Sequence, residues 1–198
     1  MKNKKIDWLV FAGGLSNLFY SVAYPIVHTV TMQSINSNIM SLASLINCVI
    51  TAIITKIWLS KSEKYYKYFG LLLFLEAVTY SILTLLFIGD LATPKMYFIG
   101  DALLSALITR NIICCGTRLK AFRYNHKERE EFDNKTTYWC NITSVIGYGF
   151  SFLITLPIKI GFVCMLIGIV VDNIFYYYVW KKECNIQNNP SKIDLEKF

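Results

Sequence analysis

The stretch Leu71-Leu72-Leu73-Phe74-Leu75-Glu76-Ala77-Val78-Thr79-Tyr80-Ser81-Ile82-Leu83-Thr84-Leu85-Leu86-Phe87-Ile88 carries a single charged residue, Glu76, and is closed by Gly89-Asp90-Leu91-Ala92-Thr93-Pro94. Extended back to residue 66, it supplies the ~20 apolar residues that a bilayer-crossing helix needs. Outward from it, comparable runs lie at 8–32, 36–59, 95–120, 137–156 and 159–180. The breaks hold turn chemistry: Asn36-Ser37-Asn38, Lys61-Ser62-Glu63-Lys64, and the Gly89 to Pro94 segment. Pro94 and Pro157 stand where a helix starts, a position that tolerates a missing amide donor. The reading is an all-α integral membrane protein with six transmembrane helices over residues 1–182 and a cytoplasmic tail over 183–198.

Composition agrees. Of 198 residues 55% are hydrophobic and only 17% charged, and the mean hydropathy is +0.43, too apolar for a core wrapped in a polar shell. The net charge of +7 does not signal nucleic acid, because the basic residues sit between apolar segments and not along one helix face. All the Lys and Arg except Lys95, Arg110 and Lys159 fall on one side of a six-span arrangement. By the positive-inside rule both termini are then cytoplasmic, in a multi-pass protein of the cell membrane. Trp8, Trp58, Trp139 and Trp180 all fall at the cytoplasmic ends of spans, where an indole meets headgroups. The first run is too long for a signal peptide and has no small-residue cleavage site, so it is expected to remain. Six cysteines (48, 114, 115, 140, 164, 184) show no C-x-x-C spacing, and neither a metal nor another cofactor is expected.

Helical spacing sorts the polar residues. In the first span Gly13, Asn17, Ser21, Tyr24 and His28 share a stripe; in the fourth, Asp101, Ser105 and Thr109 do, beside Ala102, Ala106 and Arg110. Such stripes do not face lipid cheaply, which makes spans 1 and 4 the expected walls of a polar cavity. Ser41, Ser44 and Thr51 in span 2, and Asn141, Ser144 and Tyr148 in span 5, are small or polar groups suited to close helix contact. Spans 3 and 6 read as lipid-facing support, apart from Glu76, Gly161, Gly168, Asp172 and Asn173. The dense charges of Lys120–Lys135 read as a solvated extension of the fourth helix, and the tail after Lys182 as loosely ordered.

Six spans with cytoplasmic termini, Tyr24-Pro25 late in the first span, a very short outer turn, a basic turn at Thr55–Lys64 and a longer charged one before span 5 resemble one half, of the amino-terminal type, of a major facilitator superfamily transporter. Thr55–Lys64 keeps the basic charge of that family's turn without its glycines and Asp; Arg110 stands where the family often has an Arg in span 4. The resemblance implies a rocking transporter whose spans 1 and 4 line the substrate path while 2 and 5 form a seam with another half. Because the charge bias fixes one insertion sense, the partner is a second copy or a homologous half, paired in parallel around a small-molecule substrate.

Glu76, Arg110 and Asp172 fall near mid-bilayer, where an ionised group costs about 2.5 to 3.5 kcal/mol. Two roles follow. Arg110 could hold an anionic substrate while Glu76 or Asp172 takes up protons, or Arg110 could pair with one of the acids and pin helices. Asp101 could meet His28, a candidate proton relay. An enzyme is not expected, since neither G-x-S-x-G nor H-E-x-x-H occurs and His28 and His126 are isolated. Two other readings stay open: the substrate-capture component of an importer, and a non-transporting immunity or resistance factor that only binds.

Overall fold

A computed structural model describes residues 7–154 and 157–188. Among them the chain forms six helical rods: α1 (Trp8–Ser34), α2 (Ser37–Tyr66), α3 (Phe69–Ile88), α4 (Pro94–Arg123), α5 (His126–Leu153) and α6 (Ile158–Asn188). Helix α4 is interrupted by a π-helical turn at Ser105–Thr109. All but α5 contain a segment long and apolar enough to cross a membrane.

Local chemistry sets the helix starts. Asp7, Asn36, Thr93 and Asn125 each accept a backbone N–H of the first turn through the side chain, which satisfies donors the helix itself leaves open. At Asn125 the bond is reciprocal, because Glu128 returns its carboxylate to the Asn125 N–H at 2.9 Å. This capping box begins α5 at His126, well before the apolar run at 137. The charged segment after Tyr124 therefore belongs to α5 and does not extend the fourth helix; only the stretch up to Arg123 does. Two other boundaries also move. Helix α2 runs through Lys61–Lys64 to Tyr66, with the reversal at Lys67–Tyr68, because nothing in the Lys-Ser-Glu-Lys stretch breaks a helix. Helix α6 continues to Asn188, so residues 183–188 are helical; the rest of the expected tail lies outside the described residues.

Helix α1 is the centre of the bundle, flanked by α5 and α6; α4 is flanked by α2 and α3, and α3 also lies against α6. The contacts on the two sides of α1 are close. A Cβ on Gly147 would stand 2.7 Å from Ser21 Cβ and 3.0 Å from the Leu18 carbonyl, and one on Gly168 3.1 Å from the Ser16 carbonyl. Glycine lets α5 and α6 approach the α1 backbone, the usual device where lipid gives helices no hydrophobic reason to associate.

Successive rods alternate in direction. One end is consolidated by Leu9, Trp58, Tyr66, Phe69, Leu119, Phe132 and Val179, the other by Phe87, Tyr97 and Phe162 against Val27, Leu83 and Ile158. The beginning of α1 and the end of α6 thus share the first end, with the α2–α3 and α4–α5 turns. Spans 3 and 6 were expected as lipid-facing support apart from Glu76, Gly161, Gly168, Asp172 and Asn173; Glu76 and Asn173 are buried, and α6 in addition covers one flank of α1. Apolar surface faces outward on α3, at Leu71, Phe74, Ile82 and Leu85, and also on α2, at Leu42, Leu45, Val49 and Ile53.

Candidate functional site

A cavity of about 340 Å³ opens between α1, α3, α4 and α6, lined by polar Ser16, Glu76, Thr109, Lys120, Asp172, Asn173 and Tyr176 and by apolar Ile112, Ile113 and Ile169. Its size falls at the lower end of small-molecule sites. Glu76 is held from α4, because the Thr109 hydroxyl donates to its Oε1 at 2.5 Å. Thr109 is the last residue of the π-helical turn, and the Arg110 N–H reaches back to the Ser105 carbonyl. An extra residue in the ladder rotates the helix face, which brings Thr109 toward α3 and sets Arg110 on the α2 side. Asn173 is fixed beside the cavity by donating to the Leu73 carbonyl at 3.1 Å.

Lys120, at the rim, is engaged outward. Its Nζ lies 3.8 Å from Asp133 Oδ1 and 4.7 Å from the centroid of the Phe132 ring. Next to the rim, the Tyr124 hydroxyl donates to Asp7, Arg123 Nε donates to that same hydroxyl at 3.0 Å, and Arg123 reaches Glu183 at 3.0 Å. These contacts tie the start of α1 to the ends of α4 and α6. Burial, reinforced by the hydrogen bond to Asp7, pushes the Tyr124 phenol well above the usual tyrosine range. Burial does the same to Tyr66 at the end of α2, with Cys184 and Glu183 adding to it.

No family model, curated protein or solved structure matches this chain.

Of the residues singled out in the sequence, the cavity brings together Glu76, Thr109 and Asp172. The others lie elsewhere. Asn17 donates to the Cys140 carbonyl, Thr143 and Ser144 at 2.8, 3.0 and 2.8 Å, and Ser21 donates to Ser144 at 3.3 Å. These are α1–α5 contacts, so Ser144 is turned into the bundle, whereas Asn141 and Tyr148 on the same helix are exposed. Tyr24 and His28 form an exposed ladder with Tyr20, the rings 5.7 and 5.2 Å apart. Asp101 accepts from Tyr80 at 2.8 Å, and Ser105 opens the π-helical turn. Arg110 donates to Thr55 of α2 at 3.2 Å through Nη2. Ser41 and Ser44 are exposed on α2, while Thr51 donates to Asn47, which in turn holds the Ala102 carbonyl of α4.

Five polar lining residues, Ser16, Thr117, Lys120, Asn173 and Tyr176, are not among the site residues expected from the sequence. Tyr176 stands at i+4 from Asp172 and i+3 from Asn173, and that spacing beside an apolar-segment acid is the available signal. Ser16 had none, because its neighbour Asn17 belongs to a different face of α1.

Proposed function

We propose that the chain is a half-size secondary transporter of the cell membrane, crossing it six times with both ends cytoplasmic and working as a parallel dimer by alternating access on a small solute. The observation that carries this reading is an exchange pattern in the bundle. Helix α1 lies against α5 and α6 as α4 lies against α2 and α3, while α3 and α6 meet each other. Swapping the first three helices for the last three preserves the pattern, as in a repeat of opposite topology, the construction nested within each half of facilitator-type transporters. In α5 the run 137–153 is expected to cross the remaining thickness, with the charged first turns, 126–136, in the headgroups. A second copy would meet α2 and α5 through Ser41, Asn141 and Tyr148, which are exposed.

Cysteines placed at Ser41 and Asn141, in a background with the native cysteines replaced, test the pairing in native membranes. Disulfide cross-linked dimers are expected; a purely monomeric pattern at both positions, or reporter tags placing the chain ends on opposite sides, overturns it. A second reading, a non-transporting membrane protein that binds a solute, is favoured by a specific feature, since a single copy already encloses a polar cavity. Solute uptake into proteoliposomes separates the two.

A further inference from the structure

The cavity between α1, α3, α4 and α6 is not balanced in charge. Two carboxylates, Glu76 and Asp172, line it. The one cation on its lining, Lys120, is drawn to Asp133 and to the face of Phe132 on α5. Glu76 has a donor in Thr109. Among the described residues, the Asp172 carboxylate, the Ser16 hydroxyl and the Tyr176 hydroxyl have no hydrogen-bond partner, and all three line the same space. All three are partly exposed to the opening, so their oxygens are available to a solute, and a carboxylate between apolar helices favours a cation beside it.

We infer that this cavity binds a compact organic cation, a primary ammonium carried on a small apolar body. An ammonium offers three N–H donors, and Asp172, Ser16 and Tyr176 present acceptors from α6 and α1, with Glu76 contributing a second negative charge from α3. The apolar wall of Ile112, Ile113 and Ile169 suits a hydrocarbon body. A bare metal ion fits less well: no group of three or more His, Cys, Asp or Glu placed to hold one occurs among the described residues, and about 340 Å³ far exceeds a single coordinated ion. An anion is disfavoured by both acids. The assignment rests on the reading of the chain as a membrane-embedded solute binder and is independent of pairing or rocking.

Titration calorimetry on the full chain in detergent, with benzylammonium as the probe and benzoate and benzyl alcohol as comparators, tests it. Saturable one-to-one binding of the amine is expected, with no binding of benzoate. Asp172→Asn is expected to weaken it at least tenfold and Tyr176→Phe a few-fold. Lys120→Gln, a change at the rim that leaves the buried groups in place, is expected to tighten it several-fold. Absence of saturable amine binding to the wild-type chain, unchanged affinity in both Asp172→Asn and Lys120→Gln, or benzoate binding as well as the amine, overturns the assignment. Because the titration needs neither a second copy nor a gradient, amine binding without cross-linked dimers would sink the transporter and leave the pocket. Dimers and uptake without amine binding would do the reverse.

Discussion

Thr109 of α4 donates its hydroxyl to the Glu76 carboxylate of α3 across 2.5 Å, fastening the π-helical turn to one of the two acids that line the cavity. Thr109→Val keeps the shape of the side chain and removes the donor. An interhelical hydrogen bond within a membrane contributes about 1 kcal/mol, so the SDS-unfolding midpoint should fall by a corresponding amount. Adding Glu76→Leu to Thr109→Val should cost less than the sum of the two single changes, since both remove the same bond.

Gly147 marks the closest approach of α5 to α1. Gly147→Leu is expected to cost well over 1 kcal/mol, since even a Cβ would lie 2.7 Å from Ser21 Cβ and 3.0 Å from a backbone carbonyl, and overpacking of this kind costs about 1 to 3 kcal/mol. Gly149, two residues on, has nothing within 4 Å of the equivalent Cβ. Gly149→Ala should leave the melting temperature near wild type, as read by fluorescence-detected size exclusion after heating.

At the shared end of the bundle, the phenol of Tyr124 is held protonated against Asp7 and Arg123. Its acidity is pushed up by burial first and by the Asp7 bond second. An acid that binds its proton more tightly when folded contributes stability that is complete below its unfolded value, about 10 for tyrosine, and lost as pH rises beyond it. Stability should therefore decline on the alkaline side of pH ~10. Tyr124→Phe should flatten part of that decline; Tyr66, shifted the same way, supplies the remainder. Unfolding midpoints across an alkaline pH series check the sign.

Asp90 adopts a left-handed backbone conformation, φ 59°, in the turn after α3. Lys159 crosses from α6 to bond its carboxylate at 2.8 Å and the Ile88 carbonyl at 2.7 Å, which satisfies the open end of α3. Asp90→Gly should be close to neutral, because the relieved backbone offsets an exposed ion pair. Asp90→Val should cost about 1 to 2 kcal/mol, the penalty of a branched side chain in that region. Thermal melts of the two variants distinguish these outcomes.

How much of this was legible in the sequence differs by level. Hydropathy located the rods, because ~20-residue apolar runs answer to bilayer thickness and little else. Their ends were harder. The start of α5 was set by a capping box at Asn125 and Glu128, a signal present in the chain but hidden within a segment whose charge pointed to solvent. At the site, periodicity put Asn17 and Ser21 on a polar stripe without showing that the stripe meets α5 and not a cavity; two helices that exchange hydrogen bonds and one that lines water require the same residues. Glu76 and Asp172 stood out as intramembrane acids, and the structure places both on one cavity. Arg110 stood out equally and lies against Thr55, because a local change of helical ladder turned it, and no residue type in Ser105–Thr109 announces such a change.

That ladder change leaves α4 with one amino acid more than a regular winding needs. A single-residue deletion inside Ser105–Thr109 would be absorbed by rewinding to ordinary α-helical pitch, keeping Pro94–Leu104 and Arg110–Arg123 in phase with their neighbours. The same deletion one turn away in either direction would put everything beyond it about 100° out of phase. The fourth helix thus has a single place where the chain can shorten without losing its grip on the rest.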